Sequence, residues 1–377
     1  MDKAQNTNIG IPTKPRICLF SLRKLVRHVS RCAEYEFEDV ICDVDDVELL
    51  TPESYPWFVF SRKLTNQLAR RLSIACLNPG IRKIRCNRSY DVFFAICQSP
   101  QDLLSLNAIK GWRQSCRKSV CWLGELWAGE LPKYKGHLKI LSQFDYVILT
   151  FSSTVDKLNK VTKASCIYLP PGIDTIKFCP FPNPPLRSID VYSMGRNSSK
   201  THQSLLKLAE EGKIFYIYDT VSNMYTCYPK QHRSLLANIA KRSRYFITNA
   251  PKINQQSETH GQSGVSYRFF EGAASGTVMI GDPLDNEDFR KYFDWPDAVI
   301  HVPYDTVEIS DILADLDSQP ERLEKARRNN VIQSLLRHDW VYRWRAILEL
   351  VGLKPKPALV AREKRLKKLA EDIKNTS

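Results

Sequence analysis

A loop, a helix, a turn and a strand are predicted in succession by Gly264-Val-Ser-Tyr-Arg-Phe-Phe-Glu-Gly-Ala-Ala-Ser-Gly-Thr-Val-Met-Ile-Gly-Asp282. Gly264 lets the chain turn, and Gly276 stands where a helix would end. The apolar helical positions are Tyr267, Phe270 and Ala274, and the strand positions are Thr277, Val278 and Ile280. Because the first set has helical spacing and the second is rich in β-branched residues, we expect a helix that leads into a buried strand.

The amino end of this helix predicts an anion site. Its first N–H groups have no partner within the helix and point beyond Gly264. Arg268 and Glu271 are three residues apart and share one helix face. A cation and a carboxylate at this place suit a nucleotide diphosphate, with the amides and Arg268 on phosphate and Glu271 on the ribose hydroxyls. The alternative is an ordinary α/β crossover whose Arg268–Glu271 pair is a surface salt bridge of little energetic weight.

The pattern Arg268-x-x-Glu271-Gly-x-x-x-Gly276-Thr-x-x-Ile280 resembles a known motif. It is similar to the donor-binding motif in the C-terminal half of GT-B glycosyltransferases of the group 1 type, including the spore-maturation-type branch. In that family the glutamate holds the nucleotide ribose. The resemblance implies a hexosyltransferase-type enzyme that moves a sugar from a nucleotide-sugar donor to an acceptor.

A second segment resembles the same family. The strand Ile189–Ser193 leads into Met194-Gly195-Arg196-Asn-Ser-Ser-Lys200, which is similar to the family's Gly-Arg–x–Lys turn. There the two cations clamp the donor diphosphate, and positive charge beside a helix amino end stabilises such a leaving group. A solvated turn is the alternative. The resemblance therefore implies a donor site made of Gly195, Arg196, Lys200, Gly264, Val265, Ser266, Arg268 and Glu271.

The sequence departs from the family at one position. Two glutamates with seven residues between them are common in the family, and Ser263 stands where the first would fall if Glu271 is the second. Glu258 or His260 would have to act at the donor sugar instead, although a bland loop is the simpler interpretation. A degenerate protein that binds the donor without turnover therefore stays open.

The order of elements predicts two domains. Strand and helix alternate along the chain, which favours parallel sheets with helices on both faces. Six prolines occur between residues 170 and 185, where they exclude a helix or a central strand. The expected fold is α/β, with two Rossmann-like domains facing across a cleft (GT-B). The predicted units are an acceptor-side domain (15–169), a proline-rich linker (170–188), a nucleotide-sugar domain (189–352) and a basic C-terminal helix or tail (353–377).

The N-terminal half carries weaker signals. Val40–Val44 is predicted as a strand, and Lys118–Leu123 as another. The second ends just before Glu125 and Trp127, and strand ends in α/β sheets face the ligand crevice. Glu125 is the candidate base if the enzyme inverts the anomeric centre, and Trp127 would stack on a sugar. The alternative is a capped helix start with Trp127 in the core.

Composition limits the class of protein. The 377 residues are 43% hydrophobic and 25% charged, as in soluble globular proteins. A run of 18 apolar residues and an apolar signal core are both missing from the sequence, so we expect a cytoplasmic protein. The 11 cysteines include no Cys-x-x-Cys pair, which indicates free thiols and disfavours zinc. We expect no bound metal ion and no cofactor beyond the nucleotide-sugar co-substrate.

A net charge of +14 favours an acidic partner. Residues 61–90 contain eight Lys or Arg and no acidic residue. A glycan or lipid-linked acceptor would suit this half, and nucleic acid is disfavoured because no nucleic-acid-binding motif occurs. The basic helix predicted over 358–373 would lie on an anionic membrane, dock on the body or stay solvated. A non-catalytic basic protein that binds nucleic acid or anionic membrane on the same fold is the competing hypothesis.

Overall fold

A computed structural model of the chain describes residues 14–195, 197–220, 225–254, 256–259, 261–283 and 285–376. Within these ranges two parallel β-sheets, each packed against helices, form the body of the protein. The predicted α/β class is confirmed.

The first sheet is built from apolar runs in the N-terminal half. The strands are β1 (Ile17–Phe20), β2 (Val47–Leu50), β3 (Ile84–Arg85), β4 (Tyr90–Cys97), β5 (Ile109–Lys110), β6 (Cys116–Leu123), β7 (Tyr146–Leu149) and β8 (Ser165–Tyr168). Six of them form one parallel sheet in the order β2-β1-β4-β6-β7-β8, while β3 and β5 pair with each other. The central strands are buried on both faces, as expected of a parallel sheet that helices cover.

The helices of this half include one that the sequence pattern mispredicted. The α-helices are α1 (Cys32–Val44), α2 (Phe58–Leu72), α3 (Lys135–Leu138) and α4 (Ser152–Asn159), with 3₁₀ turns at Val29–Arg31, Pro100–Ala108, Ala128–Tyr134 and Lys139–Gln143. The predicted strand Val40–Val44 is wrong, because these residues are the last turn of α1. Phe37, Val40, Ile41 and Val44 have helical spacing and are all buried, so the apolar run is one face of a helix.

The second sheet has the order β10-β9-β11-β12-β13 and is parallel. Its strands are β9 (Ile189–Ser193), β10 (Tyr216–Tyr218), β11 (Ser243–Ile247), β12 (Val278–Gly281) and β13 (Ile300–His301). The helices around it are α5 (Thr175–Phe178), α6 (Ser199–Glu210), α7 (Pro229–Arg242), α8 (Gln256–Thr259), α9 (Tyr267–Ser275), α10 (Glu287–Tyr292), α11 (Ile309–Asp317) and α12 (Pro320–Arg337). The predicted helix and strand of the central stretch are α9 and β12, and Gly276 ends α9 with φ +61°.

The proline-rich segment joins the last strand of the first sheet to the first strand of the second. Hydrogen bonds hold it against the following helices. Ile173 N–H donates to the His338 carbonyl at 3.0 Å, and Trp340 N–H donates to the Ile173 carbonyl at 3.0 Å. The buried Arg343 donates to the carbonyls of Pro170 and Pro171. The proline-rich segment is therefore packed against residues 338–343 by hydrogen bonds.

The C-terminal helices return to the first sheet. They are α13 (Trp340–Leu350) and α14 (Pro357–Asn375). Leu359, Leu366 and Ile373 of α14 are buried in the core cluster that also contains Ile17 and Phe37. Of the three arrangements left open for this basic helix, the structure shows docking on the body, because its apolar side is covered. None of the helices in the described ranges has the length and apolarity needed to cross a membrane.

Candidate active site between the two sheets

A cleft of about 630 Å³ lies between the carboxyl edges of the two sheets. On one side, Gln98, Gly124 and Thr150 line it, and each directly follows a strand of the first sheet. On the other side, Asn249 lies two residues beyond β11, and α9 presents its amino end. The carboxyl edge of a parallel sheet is where ligands bind in α/β proteins. The topology therefore makes this cleft the candidate active site.

The amino end of α9 forms one wall. Ser266 caps the helix in extended conformation, and its hydroxyl is buried without a hydrogen-bond partner. Val265 and Ser266 line the cleft. Gly264 packs on the ring of Phe151 so closely that a Cβ at residue 264 would clash with it. The predicted residues 264–266 thus carry the helix amino end to the cleft, and glycine is required where the two halves of the chain touch.

Two distant segments that resemble different parts of the same family's donor site meet here. Gly195 follows β9 with φ +76°, and its N–H donates to Asp219 Oδ2 at 2.5 Å. A Cβ at Gly195 would clash with the guanidinium of Arg268, so glycine leaves the space that Arg268 fills. The structure therefore brings Gly195 and Arg268 together beside the amino end of α9. Arg196 lies outside the described residues, and Lys200 is exposed on the first turn of α6 and is not among the residues that line the cleft.

Glu271 of α9 is buried beside the cleft. Its Oε1 accepts a hydrogen bond from Nη1 of Arg233, and its Oε2 is buried without a partner. The residue lines the cleft. A buried carboxylate oxygen with no donor is costly unless something supplies one. The arrangement suits a ligand that brings a hydroxyl group.

Arg233 is a site residue that the sequence reasoning missed. It is buried on α7 and links the two halves, because it bonds Glu36 of α1 at 3.1 Å as well as Glu271. Burial lowers its pKa, but the charges of Glu36 and Glu271 outweigh burial, and the net pKa is raised. One signal was available: Arg233 shares the spacing of the buried Leu236, Ala237 and Ala240, and a cation on an apolar helix face needs a buried anion.

Glu34 is the second residue that sequence reasoning missed. It lies in the first turn of α1, buried and lining the cleft. Tyr267 Oη donates to its Oε1 at 3.3 Å, and its Oε2 has no partner. A Cβ at Gly124 would lie 3.0 Å from Oε1, so the glycine after β6 makes room for the carboxyl. Burial raises the pKa of Glu34 to about 7, against a smaller opposing effect of Arg31.

Glu125, the predicted base, lines the cleft but is exposed. Its Oε1 accepts from Trp127 Nε1 at 3.0 Å and lies 3.7 Å from Nζ of Lys252. Trp127 is buried and packs on Phe151 at 4.4 Å between ring centroids. Glu125 therefore serves a contact between the two halves at the rim of the cleft, with Lys252 approaching from the second half.

The position that departs from the family motif is at the surface. Ser263 is exposed, and its hydroxyl accepts from Asn286 Nδ2 at 2.7 Å. The side chains of Glu258 and His260 lie outside the described residues. Across the described ranges, His, Cys, Asp and Glu side chains do not converge in any group of three that could hold a metal ion. The absence of a metal requirement stays a prediction.

Part of the second half of the chain matches a known protein family. Residues 221–349 match the family described as "Glycosyl transferase-like". No curated protein sequence matches the chain. The family match covers less than half of the chain and agrees with the glycosyltransferase resemblance of the central motif, and the two-sheet α/β fold is of the GT-B type.

Solved structures support the fold across both halves. A glycosyltransferase from Rickettsia africae ESF-5 has a TM-score of 0.51 and 12% identity, over 97% of this chain and 100% of that one. An alpha-glucosyltransferase in complex with UDP-glucose and DNA containing an abasic site has a TM-score of 0.52 and 14% identity, over 89% and 99%. An alpha,alpha-trehalose-phosphate synthase (UDP-forming) from Burkholderia vietnamiensis has a TM-score of 0.53 and 10% identity, over 90% and 98%. At such identity the likeness concerns the fold alone, and the spore-maturation-type branch stays a prediction.

Proposed function

We propose that the cleft transfers a hexosyl group from a UDP-sugar to a hydroxyl of a glycan or lipid-linked acceptor. One observation carries the proposal: the amino end of α9, the guanidinium of Arg268 and the unpartnered oxygen of Glu271 line the same wall of the cleft. Solved structures of the same fold that contain UDP-glucose support the choice of nucleotide. The acceptor enters from the side of the first sheet, and we place the reaction in the cytoplasm.

The wall formed by residues 264–271, which we call the donor wall, has a proposed role for each of its polar groups. The amides of residues 264–266 and Arg268 bind the diphosphate, where negative charge grows as the sugar leaves. Arg196 is the proposed second cation, on the sequence resemblance alone. Glu271 accepts from a ribose hydroxyl through Oε2, while Arg233 holds its other oxygen in place.

Glu34 is the proposed acid–base residue, in place of Glu125. The acceptor oxygen bonds to the anomeric carbon as the bond from that carbon to the diphosphate breaks, and the electron pair leaves with UDP. The acceptor proton passes to Oε2 of Glu34. A base whose pKa lies near the working pH suits this step, and burial raises the pKa of Glu34 to about 7. Glu125 is already bonded to Trp127 and stands near Lys252.

A nucleotide panel tests the donor site. Thermal stabilisation by UDP, GDP, ADP, dTDP and CDP is measured for the wild type and for Arg268→Ala and Arg196→Ala. We expect UDP to stabilise the wild type most, and both variants to bind it about 10-fold or more weakly because each loses a charged hydrogen bond to phosphate. Arg290→Ala is the matched control, because Arg290 is an exposed arginine of the same half. Equal stabilisation in all variants, or none by any nucleotide, would overturn the proposal.

Turnover is measured separately, as UDP released from UDP-glucose with and without an acceptor sugar. Release that depends on Glu34 supports an active enzyme. Binding of UDP with no turnover for any donor would indicate the degenerate protein that the Ser263 position left open.

A further inference from the structure

The outer side of α2 exposes more large apolar residues than a soluble helix usually does. Eight of the 15 large hydrophobic residues that are exposed within the described ranges lie between residues 55 and 77. Val59 is 80% exposed, Phe60 72% and Trp57 57%. We call this surface the α2 face; it consists of Tyr55, Trp57, Val59, Phe60, Leu64, Leu72, Ile74 and Leu77. Such a concentration of exposed apolar residues in one short stretch of chain is a feature of interaction sites.

The opposite side of α2 packs against the body of the protein, so its exposed apolar residues belong to a well-packed helix. Its inner side buries Phe58, Thr65 and Ala69 against the body. Asn66, also on that side, bonds His137 Nε2 at 2.8 Å. Two aromatic rings of the outer face pack on each other, because Tyr55 and Trp57 are stacked with their ring centroids 4.8 Å apart. The face is therefore preformed and turned outward.

Positive charge surrounds the apolar residues. No acidic residue occurs between Glu53 and Asp91, a span with eight Lys or Arg. Lys63 and Arg71 on α2 are exposed, and within the described ranges no carboxylate pairs with them. A patch that is both apolar and cationic matches a surface of anionic lipid, where apolar side chains enter the acyl boundary and Lys or Arg meet the headgroups. Trp and Tyr are favoured at that depth.

We propose that the α2 face seats the enzyme on an anionic lipid surface. A second copy of the chain fits less well, because a two-fold contact through this face would bring Lys63 and Arg71 towards their own images. An acidic protein would satisfy the cations but leaves the density of exposed apolar side chains less well explained. The basic block that composition singled out thus acts together with apolar residues that charge counting does not reveal.

The position of the face relates it to the cleft. β2 ends at Leu50 on the sheet edge that faces the cleft, and residues 51–57 lead from that edge to the aromatic end of α2. Arg62 of α2 bonds Asp102, which also bonds Arg31 beside the cleft residue Ser30. The lipid surface would therefore adjoin the acceptor side, which favours a lipid-linked acceptor. This last step rests on the proposed function, whereas lipid binding does not.

Vesicle co-sedimentation tests the proposal. The full chain is mixed with vesicles of phosphatidylcholine alone or with 30 mol% phosphatidylglycerol, roughly the anionic content at which basic residues contribute measurably. We expect binding to the anionic vesicles, about 10-fold weaker for Trp57→Ser/Phe60→Ser and for Lys63→Gln/Arg71→Gln. The control is Leu186→Ser/Phe215→Ser, which removes exposed apolar residues elsewhere and should bind as the wild type does.

Three results would overturn the proposal: no binding to anionic vesicles, equal loss in the control variant, or a dimer by light scattering that the Trp57/Phe60 variant abolishes. UDP stabilisation is recorded for every variant. UDP binding that persists while vesicle binding fails would reject the lipid surface and leave the donor site standing. The opposite pattern would reject the donor site and retain the lipid surface.

Discussion

Two buried glutamates line the cleft from opposite halves of the chain, and they differ in what surrounds their charge. Glu271 accepts a hydrogen bond from a guanidinium, whereas the hydrogen bond found for Glu34 among the described residues comes from the neutral hydroxyl of Tyr267, and the nearby Arg31 pairs with Asp102. Each keeps one oxygen without a partner. A carboxylate beside a buried cation suits lasting hydrogen bonding to a ligand, and one held near its pKa by burial suits proton transfer. We therefore propose different tasks for the two glutamates, ligand binding for Glu271 and proton transfer for Glu34.

The largest effect should come from removing the carboxyl of Glu34, the proposed proton acceptor. Glu34→Gln keeps the size of the side chain and its contact with Tyr267 but cannot take a proton, so we expect kcat to fall about 100-fold or more. UDP affinity, measured by titration calorimetry, should be unchanged. Glu125→Gln is the matched control in the same cleft and should retain most of its activity. The reverse ranking of the two variants would return the role of base to Glu125.

Removing Arg233, the cation that pairs with Glu271, should lower the stability of the protein. Arg233→Met leaves Glu36 and Glu271 buried without their shared partner, and we expect the free energy of unfolding to fall by about 3–5 kcal/mol. Urea denaturation measures this loss. Arg322→Met is the control, because the Arg322–Asp297 pair is exposed at the surface and should contribute under about 1 kcal/mol. Similar losses in the two variants would contradict the structural role of Arg233.

The proposed contact between Glu271 and the ribose gives a further test of the difference between the two glutamates. Glu271→Gln weakens the acceptor for a ribose hydroxyl, so UDP affinity should fall about 10-fold or more, since a charged hydrogen bond contributes ~1.5–3 kcal/mol. Affinity for inorganic diphosphate, which lacks ribose, should not change. Glu287→Gln, an exposed change on α10, controls for charge on the same half. Equal losses for UDP and diphosphate would place Glu271 at the phosphates.

The pH dependence separates the two roles further. The pKa of Glu34 is raised to about 7, so the rate should rise with pH through about 7 and then level off. This inflection should vanish in Glu34→Gln. Glu38→Gln is the control, because burial also raises the pKa of Glu38 to about 7 but Glu38 is not among the residues that line the cleft. An unchanged inflection in Glu34→Gln would assign it to another group.

Stability should show the opposite trend. A carboxyl whose folded pKa exceeds its unfolded value takes up a proton on folding, so its contribution is present at acidic pH and is lost as pH rises through about 7. Glu34→Gln removes the cost of a buried charge, and we expect about 1–3 kcal/mol of added stability at pH 8 and little at pH 4. Denaturation curves at the two pH values measure this. A variant that is less stable at pH 8 would show that the carboxylate is well solvated.

Much of the donor wall was predictable because its residues are close in sequence. One short segment of sequence contains Gly264, Arg268, Glu271 and Gly276. Because Arg268 and Glu271 are three residues apart on a helix, helix geometry alone puts their side chains on one face. The side of the cleft that carries Glu34 had no such local pattern. Val40–Val44 was predicted as a strand because a five-residue apolar run does not distinguish a strand from one side of a helix, and the length of α1 became clear only in the structure.

The sequence by itself determined the α/β class, the two-sheet plan and the donor motif, because hydrophobic periodicity, prolines and glycines act over short spans of chain. Only the tertiary structure decided that Glu36, Arg233 and Glu271 form one buried ion cluster, that Glu34 faces the donor wall, and that α14 covers the first sheet while α2 exposes an apolar face. Tyr267 and Glu34 are 233 residues apart, and Arg233 and Glu36 are 197 apart. Burial and the pKa of a carboxyl depend on what the fold packs around it, which no local pattern in the chain encodes.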